Sequence, residues 1–176
     1  MILGVVLAGG LSTRFGSDKA LAELDGRSLL TRAVERLSGL CDKVVVAGRK
    51  DAPAECIADW PRAGMGPLGG IAAGLRHAQQ NGFTSMFSCS VDSVNLPATL
   101  LTELSPPPAY LESQPVIGHW GVETASAVAA ILQSEGRHSM LAFARSVNAR
   151  AVTSASIPAN INTPADLAAL TGSMEP

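Results

Sequence analysis

Ile2-Leu3-Gly4-Val5-Val6-Leu7-Ala8-Gly9-Gly10-Leu11-Ser12-Thr13-Arg14-Phe15-Gly16-Ser17-Asp18-Lys19 is an apolar run that passes straight into a basic, glycine-rich loop. The near-continuous apolar part is the pattern of a strand buried on both faces of a parallel sheet. Gly9 and Gly10 carry no Cβ, so their backbone N–H groups can come close to anionic oxygens. Arg14 adds a planar fork of donors and Lys19 a mobile point charge, both suited to phosphate. Open α/β sheets place ligands at the carboxyl end of such a strand. The spacing is not that of a Walker A loop, because Lys19 follows Gly16 by three positions and precedes Ala20. Nor is it the G-x-G-x-x-G dinucleotide fingerprint. The plain alternative is a glycine turn with two solvated cations.

Outward from this stretch, strand-like and helix-like runs alternate, which predicts an α/β fold, a Rossmann-like three-layer α/β/α arrangement with a mainly parallel central sheet. Leu29, Leu30, Ala33, Val34 and Leu37 make a helical face within 28–37, and Lys43 to Ala47 reads as the second strand. Residues 48–66, with Pro53, Pro61, Gly64 and Gly66, read as a loop-rich stretch. Ile71, Leu75 and Ala78 predict a helix ending before Gly82, and Ser85 to Val91 a further central strand. A short helix is expected at 98–104 after Pro97. Val116 to Gly118 and Ala125 to Ile131 read as strands, the alanine-rich second being equally compatible with a helix. A helix is expected over 139–147, and Thr163-Pro164-Ala165-Asp166 has the N-cap, N1 and N3 residues of a last one.

The 176 residues fit a single domain, 1–176, with room for a substantial core. Composition is 47% hydrophobic and 16% charged, which excludes global disorder. Aromatic content of 4% and a net charge of −2 argue against nucleic-acid binding. Cys41, Cys56 and Cys89 are odd in number and form no C-x-x-C pair, so neither a disulfide framework nor a zinc site is expected. A reducing, cytoplasmic setting follows as the expectation. The first apolar run has no basic leader and is interrupted at Gly9-Gly10, so it reads as a core strand rather than a signal peptide or membrane span.

Four further features bear on chemistry. Asp92 closes the strand Ser85 to Val91, where a carboxylate can hold Mg²⁺ against phosphate oxygens or simply cap a turn. Gly66-Pro67-Leu68-Gly69-Gly70 precedes a helix, a turn that also allows close backbone approach by an anion or a base edge. Asp59, on the loop leading in, is placed to meet ribose hydroxyls or a base, or to be solvated. Asn160-Ile161-Asn162-Thr163-Pro164 puts two amides before a capped helix, where Asn162 can orient a ligand phosphate or shape the turn. His77, His119 and His138 have no metal-ligand spacing and read as surface or core histidines.

The pattern L-A-G-G-x-x-x-R-F-G-x-D-K, followed by Leu24-Asp25-Gly26-Arg27-Ser28-Leu29-Leu30, resembles the molybdenum cofactor guanylyltransferases, within the GT-A-type nucleotidyltransferases. Gly66 to Gly70, Asp92 and Asn160 to Pro164 fall in that family's order, so the resemblance spans nearly the whole chain. It implies transfer of GMP from GTP to the terminal phosphate of molybdopterin, with Mg²⁺ as cofactor and with cofactor-synthesis proteins or molybdoenzymes as partners. By the same resemblance, Leu7, Ala8, Gly9, Gly10, Asp59, Gly66, Pro67 and Leu68 would contact the nucleotide, and Lys19 its phosphates. Asp92 would ligate the metal, Arg14, Lys19 and Asp92 would carry catalysis, and Asn160 and Asn162 would face the pterin acceptor. The chain departs from the family at Ala47, where relatives usually have Asn, at Ser93-Val94, where they often read Thr-Pro, and at Glu123-Thr124, in place of His-Pro. A related cytidylyl- or sugar-nucleotidyltransferase and a non-catalytic nucleotide- or cofactor-binding module are the alternative readings.

Overall fold

The computed structural model describes residues 1–10, 18–136, 138–156 and 158–172. The opening apolar run forms β1 (Ile2–Leu7), and a two-strand turn, β2 (Glu23–Leu24) with β3 (Arg27–Ser28), leads into α1 (Leu29–Ser38). Ser28 caps α1 by accepting a hydrogen bond from the Thr31 amide. Then follow β4 (Lys43–Ala47), a short β5 (Glu55–Ile57), α2 (Pro67–Gln80) and β6 (Ser85–Ser90). β7 (Ser93–Val94) and α3 (Leu100–Glu103) precede β8 (Ala109–Leu111) and β9 (Gln114–Gly121). The chain continues through α4 (Ala125–Gln133), α5 (Met140–Ser146), β10 (Arg150–Val152), β11 (Ala159–Asn160) and α6 (Pro164–Gly172).

Seven strands form one sheet in the order β10-β8-β9-β6-β1-β4-β5, and β7 and β11 form a small antiparallel pair beside it. β1 lies parallel to both β4 and β6, β5 is parallel to β4, and β10 is parallel to β8. Only β9 runs against its neighbours, β6 and β8. The sheet is therefore mainly parallel, with helices on both faces. Strand alternation sorts its apolar side chains into two cores. Leu3, Val5, Val45 and Met86 pack with Ile71 and Leu75 of α2 and with α4 and α5. Val6, Val44, Val46, Phe87 and Cys89 pack with Leu30, Val34 and Leu37 of α1 and with Leu100 of α3. α2 crosses the sheet closely: a Cβ at Gly74 would come within 2.5 Å of the Met86 sulfur and 2.8 Å of a Val5 methyl.

One expectation is corrected. Residues 125–131 are helical, as α4, because Ala125, Val128 and Leu132 fall on one buried helical face among alanines of high helix propensity. The loop-rich stretch 48–66 holds one short strand, β5, which pairs Glu55, Cys56 and Ile57 with β4. This three-residue edge strand is too short to show a period in sequence. Of the histidines, His119 is a core residue, its ring nitrogens within hydrogen-bond distance of Ser85 Oγ (2.8 Å) and Ser105 Oγ (3.2 Å).

Candidate active site

β1, β4 and β6 run in the same direction, so their carboxyl ends share one edge of the sheet, and there a cleft of about 670 Å³ opens. One end of it is floored by backbone. Beyond β1 the ladder continues through Ala8 N–H, which donates to Ala47 O at 3.0 Å, and Gly48 N–H donates to Ile57 O at 3.1 Å. Gly48 has φ +83°, and a Cβ there would stand 2.6 Å from the Gly9 Cα. Only glycine satisfies both the left-handed backbone and this approach. Asp59 lies against the same two glycines, its carboxylate oxygens 3.3–3.4 Å from where their Cβ atoms would be. Burial pushes the Asp59 carboxyl above its ordinary range.

Leu7, Ala8, Gly9 and Gly10 line the cleft, as do Gly66 and Pro67 at the start of α2. Gly66 occupies the N-cap position and Pro67 the first turn, so the positive end of α2 borders the cleft. Leu68 does not line it. Its side chain is fully buried in the α2-side core, so only its backbone N–H, in the first turn of α2, is left to meet a nucleotide. Sequence spacing could not separate it from Pro67, because one residue of helix rotation carries a side chain from the mouth to the core.

Lys19 opens a short 3₁₀ turn, Lys19–Leu21, capped by Asp18, whose carboxylate accepts from the Ala20 amide at 3.2 Å. The Lys19 side chain is only 9% exposed, and its Nζ lies 3.0 Å from Asp92 Oδ1, with Asp92 31% exposed. β1 and β6 are neighbours, so the loop that follows one and the turn that follows the other meet across the cleft. Asp18 also takes a two-pronged bond from Arg49, at 2.7 and 3.0 Å, which fastens the end of the first loop to the segment after β4. The Arg49 guanidinium holds the Asp18 carboxyl below its ordinary range. The sequence reading missed Arg49, whose partner lies 31 positions away. Arg14 lies outside the described residues.

The other end of the cleft is walled by side chains. Asn160 and Asn162 line it and are exposed, while Ile161 between them is buried in a small core with Leu24 and Leu29. The Ile161 amide donates to Asp92 O at 3.0 Å, and Asn160 pairs with Ser93 across β11 and β7. Thr163 and Asp166 form the expected reciprocal cap. Thr163 Oγ1 accepts from the Asp166 amide, and Asp166 Oδ2 accepts from the Asn162 and Thr163 amides at 2.9 and 2.7 Å. Those backbone N–H groups hold the Asp166 carboxyl below its ordinary range. Ser90, Ser113 and Gln114 also line this end and were not singled out in the sequence, where nothing distinguishes them from other polar residues near strand ends.

A Rossmann-like sheet whose carboxyl edge joins a glycine-floored pocket to a buried lysine and a strand-end aspartate defines a nucleotidyltransferase site. The comparisons agree. A family profile described as MobA-like NTP transferase domain matches residues 4–152. The chain is 35% identical to a molybdenum cofactor guanylyltransferase of Acidiphilium cryptum, covering 93% of this chain and 90% of that one. It is 36% identical to a molybdenum cofactor guanylyltransferase of Rhizobium leguminosarum bv. trifolii, covering 95% and 90%. Among solved structures, molybdopterin-guanine dinucleotide biosynthesis protein A from Archaeoglobus fulgidus superposes with a TM-score of 0.76 at 22% identity, over 97% of each chain. The chain belongs to the MobA-like NTP transferase family.

A nucleotidyltransferase of this kind works with a divalent metal, and the donor set sorts among metals. Among the described residues no three His, Cys, Asp or Glu side chains cluster as a metal cage. Asp92, a partly exposed carboxylate at the wall of the cleft, instead suits a hydrated ion that takes one or two carboxylates and fills its sphere with water and substrate oxygens. No described helix is long and apolar enough to cross a membrane.

Proposed function

We propose that this protein transfers GMP from GTP to the terminal phosphate of molybdopterin, yielding molybdopterin guanine dinucleotide and pyrophosphate. The observation that carries the reading is the Lys19–Asp92 pair, 3.0 Å apart at the junction of the two ends of one cleft, in a chain whose relatives are guanylyltransferases. An oxygen of the acceptor phosphate attacks the α-phosphorus of GTP, and the bond to the β-phosphate oxygen breaks to release pyrophosphate. The attacking group is already an anion, so no strong general base is required. What the reaction needs is in-line placement and neutralised charge.

Gly9, Gly10 and the first turn of α2 offer backbone N–H groups to the triphosphate. Asp59 offers a carboxylate acceptor to guanine N–H groups or ribose hydroxyls at the glycine-floored end. Lys19 is placed to move from Asp92 onto the phosphates and to stabilise departing pyrophosphate, with Arg14 assisting. Mg²⁺, held by Asp92, is the cofactor we assign, and when bound it supplies Lewis-acid charge neutralisation and a template for the phosphates. Asn160 and Asn162 face the acceptor. The three free thiols fit a reducing cytoplasm, where molybdoenzymes or cofactor-synthesis proteins would take the product.

A pyrophosphate-release assay tests this directly, run with GTP, CTP, UTP and ATP, each with and without molybdopterin and Mg²⁺. Release is expected with GTP only, and only when molybdopterin is present. Equal release with CTP, or none with any nucleotide, overturns the reading.

A further inference from the structure

Gln114, the first residue of β9, spans the acceptor end of the cleft with both ends of its amide. Its Oε1 accepts from Ser93 Oγ at 3.1 Å, and its Nε2 donates to Pro158 O at 2.6 Å. Ser93 Oγ is also 3.2 Å from Ser90 Oγ. A hydroxyl has one proton, and that of Ser93 goes to Gln114, so Ser90 is the donor to Ser93. The bonds thus run in one direction, from Ser90 through Ser93 and Gln114 to the Pro158 carbonyl.

The two anchors of this chain matter by position. Ser93 directly follows Asp92, and Pro158 directly precedes β11, which carries Asn160. β11 is held to β7 by a register of only two residue pairs, together with the Ile161 amide on Asp92 O. So short a ladder is marginal by itself. The Gln114 amide is a third tie, reaching in from a different strand and joining the two sides.

We propose that Gln114 is a positioning residue for the acceptor: its amide sets the separation between the Asp92 turn and the 158–162 segment, and with it the acceptor KM. The assignment of an acceptor to this end rests on the proposed guanylyl transfer. The tie itself does not.

The isosteric Gln114→Glu variant separates this role from general packing. A Glu still accepts from Ser93. Toward Pro158 it can donate only while protonated, and once ionised it sets oxygen against oxygen. The ratio of variant to wild-type acceptor KM is therefore expected to rise with pH as the introduced carboxyl ionises, levelling at about tenfold once it is charged, the scale of one lost hydrogen bond. The KM for GTP should stay within about twofold of wild type. Gln114→Leu, which loses both bonds, should raise acceptor KM with no pH trend in the ratio.

Hydrogen exchange of the Ile161 amide provides a readout that needs no turnover. It is expected to speed up about tenfold in Gln114→Leu while the amides of β1 and β4 keep their protection. Unchanged Ile161 exchange overturns the proposal, whatever reaction the protein catalyses. Faster exchange supports the tie even if molybdopterin proves not to be the acceptor. With an active wild type, unaltered acceptor KM in both variants, or equal rises in the KM of both substrates, also overturns it.

Discussion

At the β1–β4 end of the cleft the walls are backbone, with Gly9 and Gly48 so close that a single Cβ has no room, and Asp59 lies against them. At the β6–β9 end the walls are side chains: Ser90 and Gln114, linked through buried Ser93 in a directed hydrogen-bond chain, with Asn160 and Asn162 beyond. The first end is set by steric exclusion, which tolerates no substitution at its closest contact. The second is set by hydrogen bonds between side chains, each open to replacement by another polar pair. On the proposed function, the fixed end would take the nucleotide and the adjustable end the acceptor.

Lys19 stands where the two ends join, so its loss tests both together. Lys19→Ala is expected to lower turnover by about 10²-fold or more while the fold persists. Full guanylyl transfer by a folded Lys19→Ala protein would remove the catalytic assignment. Asp92→Asn is expected to abolish Mg²⁺-dependent turnover, and undiminished metal-dependent activity would strike Asp92 from the metal site.

The backbone end is challenged next by Gly48→Ala. The added Cβ meets Gly9 at 2.6 Å on a backbone with φ +83°. A stability loss of roughly 1–3 kcal/mol should appear in urea titrations, with a weaker GTP KM and an acceptor KM that changes less. The opposite ranking of the two KM values would reverse the assignment of the ends.

Asp59→Asn sharpens the comparison by separating binding from stability. Burial raises the Asp59 carboxyl, so the folded state holds its proton to a higher pH than the unfolded chain does. Ionised Asp59 thus costs stability at neutral pH, a cost that begins to shrink as pH falls through the folded value and is gone below the ordinary value of 3.8. The Asn variant should melt slightly higher at pH 7 and yet show a GTP KM about tenfold worse, from loss of an ionic acceptor. Its GTP KM should also lose the acid-side rise that protonation of Asp59 gives the wild type. A lower melting temperature together with unchanged GTP KM would place Asp59 in structure alone.

The smallest effect is expected at His119, which lies between β6 and the segment before β8 and is lowered from its ordinary value of 6.5 by burial. Above pH 6.5 both states are neutral there and nothing is lost. As pH falls below 6.5 the unfolded chain takes a proton that the folded protein resists, so stability declines towards the lower folded value. Urea midpoints should fall between pH 7 and pH 5 more steeply for wild type than for His119→Gln. Parallel slopes would show that His119 does not set this acid sensitivity.

Much of this was legible in the chain. β1, β4 and β6 were read from apolar runs because strands buried on both faces need no partner information to be recognised. The Thr163–Asp166 cap, the start of α2 and the alternation of Asn160, Ile161 and Asn162 are local, and local chemistry shows in sequence. β5, β8 and β10 are three residues each, too short for periodicity, and α4 was drawn towards strand by its β-branched Val128 and Ile131. That the Leu68 side chain turns into the core while Pro67 borders the cleft was not legible, because helix phase, not motif membership, decides which side of α2 a side chain occupies.

By itself the sequence determined the strand-and-glycine framework, the charges at Lys19, Asp59 and Asp92, and the turns that carry them, since each follows from residues within a few positions. Only the tertiary structure decided that Lys19 meets Asp92, that Arg49 locks Asp18, and that Gln114 joins Ser93 to Pro158. These contacts span 21 to 73 positions, as with Gln114 to Ser93 and Lys19 to Asp92. They exist because sheet order brings the carboxyl ends of distant strands together, an outcome of packing that no short window of residues encodes.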